Sequence, residues 1–266
     1  MDNKSPELEI AIRAALEAGK ILEKYFEKEI IRETKDDGSV ITKADTESEA
    51  VIKKIILDAF PKHSIIGEET GLTKNGEHYT WYIDPLDGTR NFSQGIPFFA
   101  VSIALVYQKE VIVGVVYNSL LDALFYAEKG KGAYWNDKKI SVSKADVKHC
   151  IVTVASGRTL PDLKMRRNLM RDLPEQVVSA VRDFACTALD LSYVARGNTE
   201  ADIKFGLKTY DFAAGILLVQ EAGGKVTTLD GKPWKLEENS YIASNGVFHD
   251  VLVDEVKKQK IKLGVD

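Results

Sequence analysis

The first apolar stripe falls at Leu8, Ile12, Ala15, Gly19, Leu22 and Phe26, alternately four and three apart, which is the spacing of one face of an α-helix. Ser5 and Pro6 stand in front of it as N-cap and first helical residue, so a helix is predicted over 5–28. The polar stretch 35–39, KDDGS, reads as a turn, and 40–42 as a short strand. A second stripe, Ile52, Ile55, Ile56, Ala59 and Phe60, predicts a helix that Pro61 ends, with Asp45 as its candidate N-cap.

From residue 81 the period changes. β-branched and aromatic runs at 81–83, 98–107, 111–117, 123–127 and 132–135, split by short polar or Gly turns, predict an antiparallel meander. The second half alternates: strands are expected near 150–155, 177–182, 201–205, 225–228 and 241–244, and helices near 160–172, 187–196, 212–222 and 247–260. This is an α/β (α+β) pattern. No repeat, low-complexity tract or Pro/Ser-rich linker interrupts it, so a soft boundary near 148 divides lobes 1–148 and 149–266 within one compact unit.

Composition narrows the function classes. With 44% apolar residues among 266, the chain can bury a substantial core. Thirty-six basic against forty acidic side chains give a net charge of −4 with no Lys/Arg-dense arm, which argues against broad nucleic-acid binding. Cys150 and Cys186 are far apart and form no CxxC, so reduced thiols and a cytoplasmic setting are expected. The N-terminus has no signal-peptide pattern, and the longest apolar run, 96–107, is too short to span a bilayer. His63, His78, His149 and His249 are scattered, so any metal is expected on oxygen ligands, which suits Mg²⁺ or Mn²⁺.

The candidate chemistry is acidic. Asp84 to Thr89 read DPLDGT, directly after the apolar 81–83 segment and close behind the pair Glu68 and Glu69. Carboxylates so crowded raise one another's pKa unless a cation shares them. Pro85 fixes its own φ, and Asp87 with Gly88 permits a tight reversal whose backbone N–H groups face an anion. A third acid, Asp211, opens the apolar run 212–219. Taken singly, these are a turn, a solvated edge and a helix cap; together they place metal and phosphate at one site.

As an ordered set, Asp45, GEE at 67–69, DPLDGT at 84–89, the following RNFSQGIPFFAVSIAL, GKGAYWN, YDFAAG at 210–215 and EAGG ending at Gly224 resemble the Mg²⁺-dependent, lithium-sensitive phosphatases of the inositol monophosphatase family. The resemblance implies a layered αβαβα sandwich, a homodimer, and hydrolysis of small phosphate monoesters with two or three Mg²⁺ ions, for which Mn²⁺ substitutes. It assigns Glu69, Asp84 and the Leu86 carbonyl to one metal, and Asp84, Asp87 and Asp211 to a second. Thr89 then orients the attacking water with Glu69, Asp45 joins the catalytic set, and the N–H groups of Gly88 and Thr89 grip the phosphate.

The chain departs from the family pattern on the substrate side. Tyr210 replaces a Trp, and Ala185, Cys186, Thr187 and Ala188 stand where inositol-specific members read GSAA or GTAA. Lys204 occupies the position that supplies a glutamate to the inositol hydroxyls, and an ammonium cannot accept their hydrogen bonds. The expected activity is hydrolysis of inositol-1-phosphate or a related small sugar phosphate by metal-activated water. Fructose-1,6-bisphosphate and 3′(2′),5′-bisphosphate nucleotides are the alternatives, with Lys204 or Lys164, Arg166, Arg167 and Arg171 holding a second phosphate. A non-catalytic binding protein is the reading from another class, and it would normally have lost a metal carboxylate.

Overall fold

The computed structural model describes residues 4–26, 28, 32–34 and 40–264; the turn expected over 35–39 lies outside them. The elements run, in chain order, α1 (Pro6–Tyr25), β1 (Arg32–Thr34), β2 (Val40–Thr42), α2 (Lys43–Ala59), β3 (Ser64–Gly67), β4 (Gly71–Thr73), β5 (Tyr79–Asp87), α3 (Thr89–Ser93), β6 (Ala100–Tyr107), β7 (Glu110–Asn118), β8 (Ala123–Glu128), β9 (Gly132–Trp135) and β10 (Lys138–Lys139). They continue as β11 (Ile151–Ser156), α4 (Leu160–Gln176), β12 (Ala180–Arg182), α5 (Thr187–Arg196), β13 (Ala201–Phe205), α6 (Thr209–Glu221), β14 (Lys225–Thr227), β15 (Tyr241–Ser244) and α7 (His249–Leu263).

Strands β3 to β10 form an eight-stranded sheet in the order β10-β9-β8-β7-β6-β5-β3-β4, antiparallel except for the parallel β3–β5 pair. The second sheet has five strands in the order β12-β11-β13-β15-β14, with β11 parallel to both of its neighbours. Helices α1 and α2 cover one face of the large sheet, α5 and α6 lie between the two sheets, and α4 and α7 cover the far side of the small one. The order of layers is therefore αβαβα.

Sequence explains why α6 takes the middle layer. Phe212 to Val219 are buried without interruption, so this helix is apolar all round and needs a cover on every side. Its approach to the large sheet depends on Gly114 of β7, where a Cβ would stand 2.7 Å from the Ala214 carbonyl oxygen. The division near 148 falls at the short 3₁₀ turn Val147–His149 between the sheets, but α5 and α6, which follow it, pack against both. The expected helix 5–28 closes at Tyr25, with the Ser5 side chain accepting the Leu8 N–H as its N-cap. Among the described residues, no helix is long and apolar enough to cross a membrane.

Candidate active site

Strand β5 carries the DPLDGT motif. Its pairing with β6 is regular from Tyr79 to Asp84 and then slips before Asp87 meets Ala100. Pro85, which has no N–H to offer a ladder, stands in the slip. The expected tight reversal at Asp87 and Gly88 is instead a junction between strand and helix: Gly88 takes φ 89° and Thr89 opens α3. A Cβ at Gly88 would also come within 3.0 Å of the Phe98 carbonyl, so both conformation and space call for glycine. Asn91 ties this turn to the second half of the chain, donating to the carbonyls of Phe98 and Phe184 at 2.8 Å each.

One cavity is lined by Glu68, Asp84, Leu86, Asp87, Gly88 and Thr89 from the first half, and by residues between 155 and 211 from the second. Asp211 enters from the first turn of α6, with the Lys208 N–H donating to its Oδ2 at 2.9 Å. Asp45 comes from α2, where it is the capping-box partner of Thr42 rather than the N-cap itself. Its Oδ2 accepts the Thr42 N–H at 2.8 Å and the Thr42 hydroxyl at 2.6 Å. Its Oδ1 lies 3.2 Å from Thr89 Oγ1.

Three expectations need correction. Of the acidic pair, Glu68 and not Glu69 lines the cavity. Glu68 still continues the β3–β5 ladder, donating its N–H to Ile83 at 3.0 Å, and the chain turns after it, so the Glu69 N–H is directed to Glu49 at 2.8 Å. Lys204 does not face a substrate. It is fully buried, with Nζ 2.7 Å from Asp190 Oδ2 and 2.6 Å from Asp202 Oδ1. Cys186 is buried too, and its thiol points to Asp87 Oδ2 at 3.3 Å while the Ala188 N–H donates to the same oxygen at 2.6 Å. This segment buttresses Asp87; only Ala185 and Thr187 from it line the cavity.

Of the basic residues on α4, Arg166 lines the cavity, where it pairs with Asp183, and Arg171 turns away to Asp172. Lys164 and Arg167 are not in the cavity wall. Arg158, also in the wall, carries no motif that would single it out in the sequence. It follows the C-terminal end of β11, a strand parallel to both neighbours, which is where open α/β sheets place ligands.

The electrostatics explain what the cavity would hold. Burial, then the charges of Glu68, Asp87 and Asp211, push the Asp84 carboxyl well above its ordinary pKa. Burial first and Asp87 second do the same for Asp211. Asp87 is raised to about 6 by burial, against the pull of the Ala188 N–H and the Cys186 thiol. Asp45 is also raised to about 6, mainly by burial, with its Thr42 bonds opposing. Such a set repels itself as anions and gains most from a cation.

The donors are all carboxylate or carbonyl oxygen, which fits a hard divalent ion. Among the described residues no three acidic, imidazole or thiol groups are yet closed around a common point. Some carboxylate oxygens are held by backbone N–H groups: the Leu86 N–H donates to Asp84 Oδ1 at 2.9 Å. The donor chemistry therefore fits Mg²⁺, and ion binding would have to draw these side chains together.

The inositol monophosphatase family model matches residues 3–260. The chain belongs to the inositol monophosphatase family. It is accordingly a phosphatase, in a family whose members generally depend on Mg²⁺. A fructose-1,6-bisphosphatase/inositol-1-monophosphatase of Aquifex aeolicus is 40% identical over 263 residues, covering 97% of this chain and 98% of that protein. A protein of Haemophilus influenzae named Nus factor SuhB is 38% identical over 247 residues, covering 91% of this chain and 90% of its own length. Among solved structures, the Thermotoga maritima IMPase superposes with a TM-score of 0.89 at 30% identity, covering 98% of this chain and all of that one. The αβαβα expectation agrees with this family and with the layers above.

Proposed function

We propose that the chain hydrolyses inositol-1-phosphate or a related small sugar phosphate by direct attack of water. The observation that carries this reading is the convergence of Glu68, Asp84, Asp87 and Asp211, together with Gly88 and Thr89, on one cavity. Glu68, Asp84, the Leu86 carbonyl, Asp87 and Asp211 would hold two or three Mg²⁺ ions, or Mn²⁺ in their place. When bound, such ions neutralise phosphate charge and lower the pKa of bound water.

The chain's own residues supply the rest. The N–H groups of Gly88 and Thr89 orient the phosphate. The Thr89 hydroxyl, set against Asp45, orients the attacking water, and Asp45, raised to about 6, takes a proton near neutral pH. The retained acidic set favours catalysis over a non-catalytic binding role. A cytoplasmic homodimer is the expected form.

A second reading, hydrolysis of a bisphosphate such as fructose-1,6-bisphosphate, has one specific support. Arg158 and Arg166 line the same cavity as the acidic cluster, where a second anion on the leaving group could meet guanidinium donors. Phosphate release from inositol-1-phosphate, fructose-1,6-bisphosphate and 3′-phosphoadenosine 5′-phosphate, each with and without Mg²⁺, decides the matter. Mg²⁺-dependent turnover of the first supports the main reading, a preference for the second favours the bisphosphate reading, and no release from any of them overturns both.

A further inference from the structure

Glu49 takes no part in the site described above, yet its carboxylate is fully buried. It lies on α2 one turn beyond Asp45, so both carboxylates leave the same face of that helix. Glu49 Oε2 accepts the Glu69 N–H at 2.8 Å. Its Oε1 accepts the Thr70 N–H at 3.0 Å and the Thr70 hydroxyl at 2.5 Å. Lys53, one turn further on, donates to Thr70 Oγ1 at 2.7 Å and to Thr73 Oγ1 at 3.0 Å.

We propose that Glu49 is a positioning residue that sets Glu68 for metal binding, an inference that rests on the phosphatase reading above. Three consecutive backbone N–H groups around Glu68 are anchored: its own by the Ile83 carbonyl of β5, and those of Glu69 and Thr70 by Glu49. Glu68 is thus held between the strand that carries Asp84 and the helix that carries Asp45. The glycine ahead of it belongs to the same device, because a Cβ at Gly67 would stand 2.5 Å from the Glu49 carboxyl carbon. Two backbone N–H groups and one hydroxyl converge on this single buried carboxyl group, so the clamp is stiff. Stiffness matters because a ligand already held in place loses less conformational freedom when the ion binds.

Glu49→Gln isolates the effect. It keeps the size of the side chain but turns one acceptor oxygen into an NH₂ donor, which must then face the N–H of Glu69 or Thr70. Titration calorimetry with MgCl₂ on the full chain should show Mg²⁺ affinity at least tenfold weaker than in the parent protein. At saturating Mg²⁺, kcat on inositol-1-phosphate should return to within threefold of the parent value, since Glu49 touches no reacting atom. A role confined to packing would lower Tm and leave Mg²⁺ affinity within twofold, and that result overturns the proposal.

Thr70→Val provides a milder variant that removes the hydroxyl bond to Glu49, along with the Lys53 bond to that hydroxyl, and keeps both backbone N–H bonds to Glu49. It should weaken Mg²⁺ binding at least threefold, and unchanged affinity in a folded Thr70→Val protein overturns the proposal even if Glu49→Gln fails to fold. The parent titration separates the two readings. Absence of Mg²⁺ binding there removes the metal-dependent reading itself, whereas parent binding matched by both variants removes only the role of Glu49.

Discussion

Thr89 Oγ1 sits 3.2 Å from Asp45 Oδ1 and 2.9 Å from the Leu86 carbonyl oxygen, one hydroxyl hydrogen between two acceptors. With Asp45 ionised, the hydroxyl can donate to only one of them and is left to accept from a water at its other side. Thr89→Ala should therefore lower kcat on inositol-1-phosphate by at least about 100-fold, the lower end of what a proton-transfer group supplies, with little change in KM. Thr89→Ser keeps the hydroxyl and should retain activity within about tenfold. Steady-state kinetics at saturating Mg²⁺ checks both, and near-parent kcat in Thr89→Ala would remove Thr89 from the water-orienting role.

Asp84 pays for its place in the cluster with apoprotein stability. Its carboxyl is pushed well above the ordinary carboxylate range by burial and then by Glu68, Asp87 and Asp211, so its anionic form destabilises the metal-free fold at neutral pH. Asp84→Asn keeps an oxygen for the Leu86 N–H and removes the charge. The metal-free variant should melt higher than the parent, by roughly 2–4 °C for each kcal/mol relieved. Added Mg²⁺ should raise the Tm of the parent and leave that of Asp84→Asn nearly unchanged. Calorimetric melts with EDTA and with MgCl₂ test this, and an equal rise in Tm with Mg²⁺ in both proteins would exclude Asp84 as a ligand.

The parts of this fold that sequence makes legible are those with a sustained period. The stripe from Leu8 to Leu22 marks α1 because it buries one face over many residues, and the apolar runs of the meander mark β6 and β7 because these strands are buried nearly throughout. Strands β3 and β4 have four and three residues, too few for a period to show. The acidic pair shows the limit at the site. Glu68 and Glu69 are chemically identical neighbours, and what separates them is where the chain leaves the β5 ladder, a property of the fold. Lys204 fails for a related reason: β13 is buried on both faces, so alternation assigns it no outside, and the carboxylate of Asp190 lies fourteen residues away on another element.

Lys204 therefore calls for a stability prediction in place of a specificity one. Burial disfavours the ammonium, but Asp190 and Asp202 outweigh it and keep Lys204 charged. Asp202 is held further by the Tyr241 hydroxyl at 2.6 Å and the Thr153 hydroxyl at 2.5 Å. Lys204→Met leaves two buried carboxylates without their cation, at a cost of about 3–5 kcal/mol, or a Tm lower by roughly 6–20 °C. The ratio of kcat/KM for fructose-1,6-bisphosphate to that for inositol-1-phosphate should stay within about twofold, since Lys204 reaches neither. A tenfold change in that ratio with an unaltered Tm would return Lys204 to the substrate side.

His249, which does not line the acidic cavity, sets a distinct pH dependence. The ring is buried at the start of α7, with Nε2 2.8 Å from Thr227 Oγ1 and Nδ1 2.8 Å from Ser244 Oγ, so a neutral imidazole has both nitrogens satisfied. Burial first, and the Lys225 charge second, hold its pKa down at about 4, against 6.5 for an ordinary histidine. Between those two values the unfolded chain binds the proton and the folded one does not. Stability from this source is thus complete above about pH 6.5, declines as pH falls toward 4, and changes no further below it. The full loss is about 3 kcal/mol, since each pH unit separating the folded and unfolded values contributes roughly 1.4 kcal/mol. His249→Asn cannot titrate, so urea unfolding at pH 7 and pH 4 should show the parent losing about 3 kcal/mol more than the variant, while changes from the shared carboxylates cancel in the comparison. Parallel losses in the two proteins would mean that the folded state accepts a proton on His249 as readily as the unfolded chain does.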